Sequence, residues 1–95
     1  MNNGTLQLCS VYDCKSEAWQ NPMCFQALGQ AMRSFGDAVN SSDTEFFKHS
    51  EDFTLFHLGE FDPRSGLIEL LDAPAIVCLG VNVKEVVRED AISDG

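Results

Sequence analysis

Phe53-Thr54-Leu55-Phe56-His57-Leu58-Gly59-Glu60-Phe61-Asp62-Pro63-Arg64-Ser65-Gly66-Leu67-Ile68-Glu69-Leu70-Leu71 reads as one β-hairpin, and the remaining residues have to be arranged around it. Two strand-like runs flank Asp62 to Gly66, where Pro63 presets φ for a turn, Asp62 can bond its own backbone and Gly66 tolerates a positive φ. In the first run Phe53, Leu55 and Phe61 fall on one side, Phe56 and Leu58 on the other. Both faces are largely apolar, the pattern of a strand covered on both sides, so something has to pack on it.

The covering element is the segment before it. Leu28, Ala31, Met32, Phe35 and Val39 recur at spacings of three and four and make one apolar stripe, which predicts a helix over Leu28 to Val39. Gly29 and Gly36 weaken it by up to about 1 kcal/mol each relative to Ala, so packing must hold it, and Gly36 suggests close approach to a strand. Met32 and Phe35 are expected to touch Leu55 or Phe56. Asn40 to Asp43 ends the helix, and Thr44 to Lys48 reads as one further turn, capped by Asp43 or Thr44, with Phe46 or Phe47 docked on the core.

Nearer the N-terminus, Thr5 to Tyr12 alternates with period two and is a first strand, and Met23 to Ala27 is a second short one after the Asn21-Pro22 turn signal. Trp19, in the connection between them, is expected as a partly buried lid over the core, the commonest fate of a Trp. Beyond the hairpin Asp72-Ala73-Pro74 breaks the pattern. Ile76 to Leu79 suits a strand or buried turn, Val81 to Val86 alternates as an edge strand would, and 88–95 is an acidic, frayed tail. The expected fold class is therefore α+β, an antiparallel sheet of about four to five strands with one helix packed across it, and residues 1–95 form a single domain.

Ninety-five residues support one core, and 44% hydrophobic content with seven Phe is ordinary for a globular chain. No apolar run approaches the roughly 20 residues of a membrane-spanning helix, and the first residues lack the charged start and apolar centre of a signal peptide. The expectation is a soluble intracellular protein. Fifteen acidic against six basic residues give a net charge of −9. Two bases and four acids lie from Lys84 onward, so the first 83 residues still carry −7. Such a surface repels phosphate backbones and anionic lipid, whose affinity comes mainly from Lys and Arg.

Groups that could carry chemistry are sparse. The four cysteines Cys9, Cys14, Cys24 and Cys78 show no Cys-x-x-Cys pair, and His49 and His57 lie far from the first three, so free thiols are expected and neither zinc nor another cofactor. His49-Ser50-Glu51-Asp52 is the densest ionisable cluster and reads as a solvated loop before a strand. Glu60 and Asp62 are explained as strand-end and turn residues without a cation. His57 reads as a hydrogen-bonded histidine at the edge of the core. No phosphate-binding glycine loop or nucleophile elbow is present, and no catalytic residue is expected.

Ser10-Val11-Tyr12-Asp13, then Gly29 to Asn40 (GQAMRSFGDAVN), then Lys48 to Asp62 (KHSEDFTLFHLGEFD), in this order, resemble the small nonstructural protein of microviruses, the icosahedral single-stranded DNA phages of the gokushovirus kind. The similarity runs from about Leu8 to Asp72. The resemblance implies a phage protein outside the virion, in the host cytoplasm, that serves genome replication or single-stranded DNA synthesis, and it brings no catalytic residues. Two function classes follow. One is a noncatalytic module that binds a viral or host replication protein, with a homodimer through the edge strand as one form of contact and an acidic surface that suits a basic partner. The alternative is direct single-stranded DNA binding, for which Tyr12, Trp19, Arg33 and Lys48 are the contributors available. A membrane partner is not expected.

Overall fold

A computed structural model gives the structure of the chain and describes residues 4–85. Five strands form one antiparallel sheet: β1 (Leu6–Asp13), β2 (Ala18–Trp19), β3 (Met23–Phe25), β4 (Phe53–Asp62) and β5 (Leu67–Leu79). The spatial order is β2-β1-β4-β5, and β3 shares with β2 the edge of β1 that β4 leaves free. The β4–β5 hairpin is closed at Asp62↔Leu67 by a turn in which the Gly66 N–H donates to the Asp62 carbonyl and Gly66 takes φ +80°. It forms as its turn chemistry predicts.

The helix α1 (Leu28–Val39) has the expected bounds and packs on one face of the sheet. Its buried residues Ala31, Phe35 and Val39 meet Cys9 and Val11 of β1, Phe53 and Leu55 of β4 and Cys78 of β5. The single-turn α2 (Glu45–Lys48) is capped by Thr44, whose hydroxyl accepts from the Phe47 N–H, and a short 3-10 turn (Ser50–Asp52) leads into β4. Phe46 docks as expected, edge-on between Phe35 and Phe53 with ring centroids 6.0 and 4.6 Å away. All the described helices stand on this side.

Several expectations are corrected. Among the described residues β4 is covered by helices on one face only, because the described helices lie on one side and the remaining strands join the sheet edgewise. Met32, at 41% exposure, points off the core, since a stripe that includes both 31 and 32 is wider than the contact α1 makes. Phe56 lies on the face opposite the helix, so neither Met32 nor Phe35 meets it across the core. Residues 80–83 form a helical turn, α3 (Gly80–Val83), where an edge strand was expected. It packs against α1 and the Ser50–Asp52 turn, and a Cβ on Gly36 would lie 3.9 Å from Val83, so that glycine faces α3 and not a strand. The break at Asp72-Ala73-Pro74 is a bulge within β5 and not the end of the strand. Between the pairs Gly59↔Leu70 and His57↔Ala75, four residues of β5 stand opposite Leu58 alone. The rest of the expected edge strand beyond Glu85, and the acidic tail, lie outside the described residues.

Candidate interaction surface

Strand register assigns each paired sheet residue to a face. Cys9, Val11, Phe53, Leu55 and Cys78 face the helices. The open face then reads as rows across the strands: Trp19, Tyr12, Thr54, Leu79; then Ser10, Phe56, Ile76; then Cys24, Leu8, Gly59, Leu70; then Leu6, Phe61, Ile68. None of these residues is charged. An exposed face of an antiparallel sheet is ordinarily polar, so this one departs from the rule.

At one end Trp19 packs against Tyr12, tilted by 50°, and edge-on against Phe56, with centroids 4.8 and 4.9 Å apart. The two-residue ladder of β2 places it there, held by Gln20, whose N–H donates to the Val11 carbonyl and whose carbonyl accepts from the Ser10 hydroxyl. Trp19 is 45% exposed. The expectation of a lid over the core is corrected: Trp19 caps the opposite face of the sheet, because Tyr12↔Trp19 pairing fixes its side.

The four residues expected to touch DNA or a partner divide between the two sides. Tyr12 and Trp19 come together on the open face. Arg33 is exposed on α1 and Lys48 on α2, both on the helix-bearing side, and Lys48 lies 4.0 Å from the Glu45 carboxylate. Of the other basic residues, Arg64 sits 3.7 Å from Asp62 at the hairpin turn, while Lys84 donates to the Phe47 carbonyl and lies 4.0 Å over the Phe47 ring.

The helix side of the outer hairpin is acidic. Glu60 stands directly across from Glu69, and Asp62 lines a shallow depression beside that pair. His49, Glu51 and Asp52 do gather in the loop before β4, their ligating atoms all within 4.8 Å of one another, with Glu45 3.8 Å from the His49 ring. They stand in solvent at the protein's surface. His57 sits half-buried, its Nε2 3.0 Å from the Gly59 carbonyl oxygen.

A cleft of about 100 Å³ lies between α1 and the β1–β3 edge, lined by Cys9, Met23, Phe25, Ala31 and Phe35. All four thiols are free, with Cys9 and Cys78 buried and Cys14 and Cys24 exposed. Burial, aided by the neighbouring Cys24, pushes the Cys9 thiol up to about 11, so it offers no thiolate nucleophile near neutral pH.

Sequence reasoning missed Phe56, Ile76, Leu70 and Ile68 as surface residues. The signal was present in the alternation of Ile68 and Leu70 with Glu69, which already divides an apolar from an acidic side. The missing piece was that nothing in the described chain covers the apolar one. It also took Asn40 for a helix stop only, whereas its side chain donates to the Gly36 and Val83 carbonyls and accepts from the Glu85 N–H.

No curated protein and no solved structure matches the chain. The family described as Phage ORF5 protein matches residues 6–85, which takes in every strand and helix described above. The chain belongs to the Phage ORF5 protein family.

Proposed function

We propose that this phage protein is a noncatalytic nonstructural protein of the microvirus kind, which supports synthesis of the single-stranded DNA genome in the host cytoplasm by binding another replication protein, viral or host. The observation that carries the reading is the separation of aromatic from basic side chains. Single-stranded DNA is held by bases stacked on aromatics beside cations that neutralise the backbone. Here Tyr12 and Trp19 lie on an uncharged face, whereas Arg33 and Lys48 lie across the sheet from them, Lys48 beside the Glu45 carboxylate. The acidic helix side, with Glu60 opposed to Glu69, suits a basic protein surface.

The exposed Tyr12–Trp19–Phe56 cluster favours the second reading, direct single-stranded DNA binding by stacking. Titration of a fluorescent single-stranded oligonucleotide at about 50 and 200 mM salt separates the two. The expected result is affinity weaker than about 10 μM near physiological salt, because few cations are placed to contact phosphate. Tight binding with a slope near −0.7 per phosphate, reduced by Arg33→Ala or Lys48→Ala, would overturn the protein-partner reading. Tight, salt-insensitive binding lost in Trp19→Ala would overturn it in favour of stacking.

A further inference from the structure

The rows of the open face assigned by register are apolar and hold no charged residue. Ile68, Leu70, Ile76 and Leu79 are 54%, 65%, 63% and 39% exposed, and Leu6, Leu8, Tyr12, Phe56 and Phe61 are partly so. Taking about 150–250 Å² for a large side chain, the exposed part of this face comes to roughly 700 Å². That exceeds the largest patch of a typical monomer, about 300–600 Å², and approaches the ~800 Å² that each partner contributes to a standard interface.

We infer that a second copy of this chain covers this face, the two sheets packing face to face about a two-fold axis. The inference goes beyond the proposed function and does not depend on it. Charge selects the occupant. A phosphate backbone or an anionic lipid surface needs cations, and the rows of this face hold none. A basic protein would be drawn to the acidic helix side instead. Two copies, each carrying −9, repel in most orientations. Apposed open faces are the arrangement that keeps Glu60, Asp62 and Glu69 pointing away from the contact on both copies. An uncharged apolar patch is also self-complementary, as an isologous dimer requires.

Sheets packed this way lie about 10 Å apart with their inner side chains interdigitated. The Trp19–Tyr12–Phe56 cluster at one end of the face and Leu70 and Ile68 toward the other provide the relief for that. Pairing through the outer edge of β5 is the poorer route. The bulge at residues 71–74 interrupts the ladder there, and Pro74 carries no N–H to donate.

Sedimentation velocity of the full chain across the micromolar range tests this. Wild type is expected at twice the 10.5 kDa chain mass, with its dissociation constant falling as salt is raised, because screening weakens repulsion and the contact contains no ion pair. Ile76→Glu and Leu70→Glu alter side chains already exposed in the monomer, so circular dichroism should be unchanged while the species shifts to monomer and Trp19 emission moves to the red. Val81→Glu, at a 50% exposed position of α3 on the helix side, is expected to leave the dimer intact. A wild-type monomer throughout, a dimer that survives Ile76→Glu combined with Leu70→Glu, or one that weakens with added salt would overturn the inference.

Discussion

Single residues show how local chemistry holds the helix side together. Asn40 ends α1 and ties it to α3, its amide donating to the Gly36 and Val83 carbonyls at 2.8 and 3.0 Å while its oxygen accepts from the Glu85 N–H. Asn40→Ala takes the side-chain donor from the Val83 carbonyl and the acceptor from the Glu85 N–H, while the Gly36 carbonyl keeps the Asn40 backbone N–H, and is expected to cost about 1–3 kcal/mol in urea denaturation. Gly80 is fixed by space: a Cβ there would stand 2.3 Å from the Ser50 carbonyl oxygen, with the Phe53 carbonyl oxygen at 3.0 Å. Both obstacles are backbone, so Gly80→Ala is expected to lose about 1–3 kcal/mol, the range for overpacking. At Gly29 nothing lies within 4 Å of an added Cβ, and Gly29→Ala in the same assay should stabilise by about 0.5 kcal/mol through helix propensity. Cys9 reports on the core. Its folded thiol titrates near 11 against an ordinary 9.0, so the stability that the neutral thiol contributes is complete below pH 9.0 and is lost as pH rises through 11. Correspondingly, Cys14 should react with a disulfide reagent at once, and Cys9 and Cys78 only on unfolding.

At the scale of elements, Phe35 and Met32 separate what α1 buries from what it shows. Phe35 is 4% exposed and faces Leu55 and Phe46, so Phe35→Ala is expected to cost about 3–5 kcal/mol, whereas Met32→Ala, at a 41% exposed position, should cost under about 1 kcal/mol. A Phe35→Ala loss as small as that of Met32→Ala in a denaturant melt would remove the stripe from the core. The bounds of α1, the hairpin with its Asp62–Gly66 turn and the Thr44 cap were all legible in the sequence, because each rests on interactions within a few residues. What was not legible rests on long-range geometry. Whether Phe56 faces a helix or solvent depends on how many covering elements the chain can place, and α3 forms where Val81-Asn82-Val83 alternates because the Asn40 side chain and Lys84 hold that turn against α1 and α2. The surface residues divided in the same way. Tyr12 and Trp19 were picked for their aromatic rings and do meet, through the β1–β2 register, while Arg33 and Lys48 were picked for charge, which carries no information about side.

Charge governs the molecule as a whole. A net charge of −9 on a chain of 95 residues makes self-repulsion a continuous cost of the folded state, and Glu60 opposite Glu69 is one place where it is concentrated, since like charges directly across a ladder destabilise it. Lowering the pH relieves that repulsion but meets an opposing term. The Asp13 carboxylate accepts from the Ser16 hydroxyl and from the Lys15 and Ser16 N–H groups, Asp43 accepts from the Ser41 hydroxyl, and Asp62 accepts from the Arg64 N–H. These bonds favour the ionised form and hold all three below the ordinary 3.8. A depressed carboxyl contributes stability that is present above its unfolded value and is lost as pH falls through the folded one. Melting temperature should therefore rise as pH is lowered from neutral toward about 5, where general repulsion diminishes, and fall again below about 4, where these three aspartates take up protons. Salt isolates the first effect: at pH 7, raising it from about 0.01 to 0.15 M shortens the Debye length from about 30 to 8 Å and should raise the melting temperature. The double change Glu60→Gln with Glu69→Gln should raise the low-salt value and reduce the gain from salt. A melting temperature indifferent to salt in the wild type would mean that the acidic residues are locally compensated, and the case for a basic partner on that side would lose its physical ground.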